Sequence, residues 1–236
     1  MPTSPPTKAQ WTLLVYMAAD NDLDRAAVAD IQEMLSVGTS PEVRVAVLVD
    51  RAGRQPTTRY VIPERPGCSL RDCPQEQLPE IDTGDPRHLV RFLAWGRKAF
   101  PSEYLGLILW NHGYWWRPYD LDAVRRAHAP KGKILRKPLL IRGQPVAPTA
   151  YIGFDEGQAI VGTLDMPELG KALAKGLGRS RRLDLIGFDA CLMSQLEVAY
   201  QVRSHTHVLL GAEESMPGFG LPYNRVLPLL VENPKI

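Results

Sequence analysis

Two side chains able to carry acyl-transfer chemistry stand in equivalent places in this sequence. His112 follows the apolar run YLGLILW (104–110) and Asn111; Cys191 follows DLIGF (184–188), Asp189 and Ala190. Thiolate is the attacking form of cysteine, and a nearby imidazole favours it. The same imidazole can then protonate a leaving amine, a contribution of about 10² to 10⁴ in rate. Reading Cys191 as the first residue of a helix adds the positive end of a helix dipole, which also favours thiolate. Gly113 leaves the backbone open to an approaching carbonyl. Its N–H and that of Cys191 form a candidate oxyanion hole, where one donor is commonly worth about 10² to 10³ in kcat. Each residue alone has a plainer reading, as a small core thiol or a structural histidine. Their common position, directly after a buried strand, favours chemistry.

The elements that must position them are read from hydropathy. WTLLVYMAAD (11–20), VRVAVLVD (43–50), YLGLILWNHG (104–113), RLDLIGFD (182–189) and THVLLGAEES (206–215) are short apolar runs with β-branched and aromatic residues, and read as buried strands. TRYVIPE (58–64) extends or edges the sheet, residues 65–80 read as a loop, and YIGFDE (151–156) as one arm of a small hairpin. Helical spacing runs through DLDRAAVADIQEML (22–35), from a cap at Asp85 to about Lys98, over 163–177 with Thr163 as cap, and over 191–203. Alternating strands and helices imply an α/β fold, a mainly parallel sheet with helices on both faces. Ligands gather beyond the carboxyl ends of such strands. That edge carries Asp20–Asp22, Asn111–Gly113, Asp189–Cys191 and Glu213–Ser215.

Composition narrows the classes. With 236 residues, 44% of them hydrophobic, the chain suits one large α/β domain or two small ones. Residues 1–10, MPTSPPTKAQ, read as a disordered tail and lack the apolar core of a signal peptide, which favours the cytoplasm and leaves other routes of export open. No apolar run is long enough to span a membrane. Three cysteines make no complete disulfide framework, and Cys68 and Cys73, with His88 beyond, lack a fourth zinc ligand; they read as free loop thiols or as a pair with each other. The net charge of +2 hides an asymmetry: residues 117–150 carry eight Lys or Arg and two acids. A basic, Pro-rich linker is therefore expected at about 114–150, inside a domain covering 11–236. Its basic stretch RRAHAPKGKILRK (125–137) lacks the interleaved aromatics of a nucleic-acid surface, and no nucleic-acid partner is expected. Asp20, Asp22 and Asp24 offer calcium carboxylates but lack the Gly and distal Glu of an EF-hand loop. A nucleotide-binding reading fails on AADNDLD (18–24), where acids stand in place of a Gly-rich phosphate loop. The chain stops at VENPKI without a further strand and is expected to be trimmed at its C-terminus.

In combination, WTLLVYMAADNDLD, LILWNHG, LIGFDACLMSQLEVAYQV and GAEESMPGFGLPY resemble the clostripain family of cysteine peptidases, in the caspase–legumain–gingipain clan, over most of residues 10–225. The resemblance implies a caspase-like α/β/α sandwich and a Cys/His dyad, with Cys191 as nucleophile, His112 as catalytic histidine and no obligatory acid partner. It implies cleavage after Arg or Lys, maturation by cutting the enzyme's own linker, no required cofactor and, in some members, a response to calcium. Asp189 is then placed to line the pocket beside the scissile bond, where a carboxylate selects a cationic side chain at P1, the residue whose carbonyl is attacked; the plainer role is a helix cap. Asp20, with Asn21 and Asp22, is a second candidate for the pocket rim, equally read as an ordinary helix cap. Glu213, with Glu214, is a candidate for another pocket wall. Self-processing candidates are Arg125, Arg126, Lys131, Lys133, Arg136 and Arg142; Lys137 ranks last because Pro138 follows it. The implied partners are peptide or protein substrates, with no membrane partner, and the protein is expected to be a monomer. The competing reading, a non-catalytic binding module of the same fold, is disfavoured because both dyad residues are present.

Overall fold

The computed structural model describes residues 8–53, 55–114, 134–135, 140–141, 144–145, 151–155, 160–178 and 181–235. In chain order the first half comprises β1 (Ala9–Ala19), α1 (Asp24–Val37), β2 (Val43–Arg51), β3 (Thr58–Val61), β4 (Gln75–Gln77), α2 (Pro86–Ala99), β5 (Ser102–Trp110) and β6 (Gly113–Tyr114). The short strands β7 (Ile134–Leu135), β8 (Leu140–Ile141) and β9 (Gln144–Pro145) come next. The second half comprises β10 (Tyr151–Asp155), β11 (Ile160–Asp165), α3 (Met166–Leu177), β12 (Leu183–Asp189), α4 (Leu196–Val202), β13 (Thr206–Leu210) and α5 (Tyr223–Glu232).

The main sheet has seven strands in the order β13-β12-β5-β1-β2-β3-β4. Its five strands from β13 to β2 are parallel, and β3 and β4 close one side antiparallel. The inner parallel strands β12, β5, β1 and β2 are largely buried on both faces, which is why they read as nearly unbroken apolar runs, whereas the edge strand β13 is largely exposed. Along β1, Leu13, Val15 and Met17 pack on one face, with α1 and α5; Leu14 and Tyr16 pack on the other, with α2, α3 and α4. The result is the three-layered sandwich expected. A smaller sheet, β6-β10-β11-β7, includes the antiparallel hairpin of β10 and β11.

Several boundaries differ from expectation, each for a local reason. The sheet begins at Ala9, inside the stretch 1–10. Residues 75–77 pair with β3, so the expected loop over 65–80 contains an edge strand. Asp85 caps α2 as expected, accepting from the Arg87 N–H at 2.9 Å with Pro86 behind it. Thr163 does not cap α3, because it lies inside β11; Asp165 does so, in a reciprocal capping box with Glu168. The strand expected over 206–215 ends at Leu210, and the helix expected from Cys191 starts at Leu196. These two have one cause. The N–H groups of Leu192 and Ser194 donate to the carbonyls of Glu214 and Ala212, both at 3.0 Å, which ties the two segments together, and Leu192 has φ 61°, which no helical turn accommodates.

Candidate active site

β5 and β12 are neighbours, with Trp110 in register with Asp189, so the residues after them leave the same sheet edge side by side. The Asn111 N–H donates to the Asp189 carbonyl at 3.2 Å, carrying the ladder one step past the strands. His112 and Cys191 thereby line one cleft, together with Trp110, Asp189, Met216 and Gly220. The two segments are in close contact. A Cβ placed on Gly113 would lie 2.2 Å from the Cys191 carbonyl oxygen and 2.7 Å from Met193 Cγ, so only glycine fits there. Gly113 also opens β6 and pairs with Ile152 of β10.

The histidine is held from both ends. Asn111 Nδ2 donates to the Ala18 carbonyl at the end of β1, while Asn111 Oδ1 accepts from the His112 backbone N–H. At the ring, Nε2 lies 2.8 Å from Asp22 Oδ1. The Asp22 side chain is 79% exposed, so this contact orients the imidazole more than it stabilises the fold. The residues around Asp22 set its position. Asn21 Oδ1 accepts from the Leu23 N–H at 2.9 Å, and Asp24 takes Arg51 Nε and Nη2, both at 2.8 Å.

The cysteine sits in a turn and not at a helix N-terminus, so the helix-dipole contribution expected for it is absent. Leu192, the next residue, has φ 61°, a left-handed conformation that a branched side chain adopts at a penalty of about 1–3 kcal/mol. The Met216 N–H donates to Cys191 Sγ at 3.3 Å. Strain of this kind concentrates at functional sites, where the surroundings enforce it.

Asp189 lies at the bottom of the cleft, 4% exposed. Its Oδ1 accepts from the Leu221 N–H and its Oδ2 from the Tyr223 hydroxyl, both at 3.0 Å. Burial pushes its carboxyl up to about 6; the two hydrogen bonds work against that rise, and the charge of Glu33 adds to it. It caps no helix, since α4 begins seven residues later with Gln195 as its N-cap. Gly220 supports it from below, with φ +59° and with space for no Cβ: one would lie 2.6 Å from Asp189 Oδ1.

The remaining expectations divide. Asp20 is buried and does not line the cleft, and the N-cap of α1 is Leu23, without a side-chain cap. Of the Asp20–Asp22 group, Asp22 reaches the site, through His112 rather than through the pocket rim. Glu213 and Glu214 are exposed outside the cleft; Glu214 contributes its backbone carbonyl to Leu192. Among the described residues no three His, Cys, Asp or Glu side chains converge to hold a metal, and no helix is long and apolar enough to cross a membrane. Arg125, Arg126, Lys131, Lys133, Arg136 and Arg142 lie outside the described residues. Sequence reasoning missed Met216, Leu221 and Tyr223 as site residues. Their one signal was the Gly- and Pro-punctuated GAEESMPGFGLPY, which marks a turning segment but not where it lands.

Comparison with known proteins agrees with this geometry. Residues 15–129 and 143–235 match the sequence model of the clostripain family. Clostripain of Hathewaya histolytica is 26% identical over 239 residues, a match covering 91% of this chain and 41% of that protein. Among solved structures, a secreted C11 cysteine protease from Bacteroides thetaiotaomicron, in complex with an irreversible peptide inhibitor, superposes with a TM-score of 0.68 at 25% identity, over 94% of this chain and 54% of that one. An inactive zymogen C11 protease from Parabacteroides distasonis superposes with a TM-score of 0.65 at 20% identity, over 97% and 55%. The chain thus spans about half the length of the relatives it matches. The sandwich is the caspase-like fold of the C11 proteases.

Proposed function

Because this chain belongs to the clostripain family of cysteine peptidases, we propose that it is an endopeptidase that cleaves after Arg or Lys through Cys191 and His112. Cys191 Sγ attacks the carbonyl carbon of the scissile bond and His112 receives the thiol proton. The N–H groups of Gly113 and Cys191 face the developing oxyanion. His112 then returns the proton to the leaving amine, and water hydrolyses the thioester. These steps require no cofactor. The observation that carries the specificity is the buried carboxylate of Asp189 at the bottom of the cleft that Cys191 and His112 line. A guanidinium reaching it finds a bidentate acceptor in a site largely shielded from water.

The test is covalent labelling. Peptidyl chloromethyl ketones with Arg, Lys, Leu or Asp at P1 are reacted with the protein, and the modified residue is located by mass spectrometry. Selective capture of Cys191 by the Arg and Lys reagents is expected; equal rates for all four would refute the assigned specificity. Self-processing in the basic segment between the two catalytic halves belongs to the same proposal, since a tethered substrate has a high effective concentration. Wild-type and Cys191→Ala proteins incubated side by side should differ in new N-termini within 114–150. Identical cleavage of both would implicate another protease.

A further inference from the structure

Behind the cleft lies a second buried acid that the peptidase chemistry does not use. Asp30, on α1, is 4% exposed, and its Oδ2 accepts the indole N–H of Trp110 at 2.7 Å. Trp110 is the last residue of β5, itself 4% exposed, and lines the cleft. It stands in register with Asp189, so both side chains leave the sheet on the face covered by α1 and α5. An indole has one polar atom, a donor. Binding it to a fixed acceptor on a neighbouring helix sets the rotation of the whole ring. Trp110 lines the cleft, and the next two residues after it are Asn111 and His112.

An acid is an unusual choice for so buried a position, where a neutral acceptor would make the same bond. The charged groups acting on Asp30 are Asp189, on the sheet face that α1 covers, and Glu33 on its own helix, both acids, and burial with their charges pushes its carboxyl up to about 7. The same helix meets α5 one turn later, at Glu33, which accepts from the Asn224 N–H at 3.4 Å, beside the Tyr223 that holds Asp189.

We propose that Asp30 is a positioning residue for P1 recognition: through its hydrogen bond to the Trp110 indole it holds that ring as the wall facing the P1 side chain above Asp189. This rests on the reading of the cleft as the P1 pocket and deepens it. Asp30 touches neither substrate nor thiol, so it affects how tightly a P1 side chain is held and not how fast the thiol reacts.

The experiment uses the full chain and compares, for each variant, the rate of Cys191 labelling by the P1 chloromethyl ketone that wild type prefers with the rate for iodoacetamide, which has no P1 group. Asp30→Ala is expected to lower the ratio of the two rates about tenfold, with the iodoacetamide rate unchanged. Asp30→Asn keeps an oxygen acceptor for the indole and should restore the ratio to within about twofold of wild type. Trp110→Phe should reproduce Asp30→Ala, and the double variant should be no worse than either, because the two residues act through one bond. The proposal is overturned if Asp30→Ala leaves the ratio unchanged, if both rates fall together, if Asp30→Asn is as impaired as Asp30→Ala, or if the two losses add. Failure of the underlying reading is separate: wild type itself would then show no preference among the P1 reagents.

Discussion

Asp189→Asn is the sharpest perturbation this site offers. The carboxylate is pinned by Leu221 N–H on one oxygen and the Tyr223 hydroxyl on the other. An asparagine can keep both contacts: its oxygen accepts from Leu221, and its amide donates to the Tyr223 oxygen once that hydroxyl turns. The variant therefore loses a charge and little else. Removing one partner of a buried charge pair typically lowers affinity by about 2–5 kcal/mol, which at about 1.4 kcal/mol per decade is roughly 30- to 4000-fold in kcat/KM for an Arg substrate. Burial holds the wild-type carboxyl at about 6, so the charge is fully present at pH 8 and is lost as the pH falls through 6. The assay is the ratio of Arg-reagent to iodoacetamide labelling of Cys191 between pH 5 and 8, in which titration of the dyad cancels. In wild type the ratio should rise through pH 6; in Asp189→Asn it should be low and flat. The variant should also melt no lower than wild type at pH 8, because it removes a charge that burial disfavours. An unchanged ratio in a folded Asp189→Asn protein would refute the assignment and place the cation on another group.

Three neighbouring groups give further expectations. Gly220→Ala puts a Cβ 2.6 Å from Asp189 Oδ1 at φ +59°, so it should reduce Arg-directed labelling at least tenfold while sparing iodoacetamide reactivity; wild-type selectivity would show that the loop relocates freely. Asp22→Asn removes the charge from a largely exposed contact worth about 0.2–1 kcal/mol, so kcat/KM should fall by no more than about fivefold, and a loss of two decades would mean that Asp22 takes part in proton transfer. Asp30 and Asp189 have folded-state values raised to about 7 and about 6, so their contribution to stability is complete below about pH 4 and is lost as the pH rises through 6 and 7. The melting temperature should therefore climb on acidification from pH 8 to 5. Asp30→Asn should flatten that slope, and an equal slope in the variant would contradict it.

The parallel core and its active edge were legible because strands buried on both faces leave unbroken apolar runs, and the residues after each run must emerge at the sheet edge. That rule alone brought His112, Gly113, Asp189 and Cys191 together, since β5 and β12 are neighbours. It failed at Cys191 itself. ACLMSQLEVAY carries a helical pattern, but the N–H groups of Leu192 and Ser194 pair with residues some twenty positions later, and periodicity carries no record of such pairing. Choosing Asp22 over Asp20 depended on the rotation of one turn, set by Asn21, and nothing in the sequence showed that Asp20 and Glu213 stand outside the cleft lining. Met216, Leu221 and Tyr223 lie 25 to 34 positions from the groups they contact, across a helix, a strand and a loop. Asp30 looked like an ordinary polar position on an amphipathic helix, and Trp110 like an ordinary strand aromatic.

The pocket floor and the reactive pair are anchored at different depths of the same molecule. Cys191 and His112 hang from β12 and β5, in the middle of the sheet, whose amides should exchange with solvent only through global opening. Leu221 and Tyr223 belong to the segment that enters α5, a ten-residue helix with Pro228 inside it and with Phe219 and Leu229 widely exposed on either side of the pocket contacts. A segment with so much apolar surface in water opens at a smaller free energy than the sheet. Opening it leaves a thiol and an imidazole on their strand ends, while Asp189 loses both hydrogen-bond donors and Gly220 leaves the cleft. Under mild denaturant, discrimination among substrates should disappear before cysteine reactivity does, with the Leu221 amide exchanging ahead of the amides of β5 and β12.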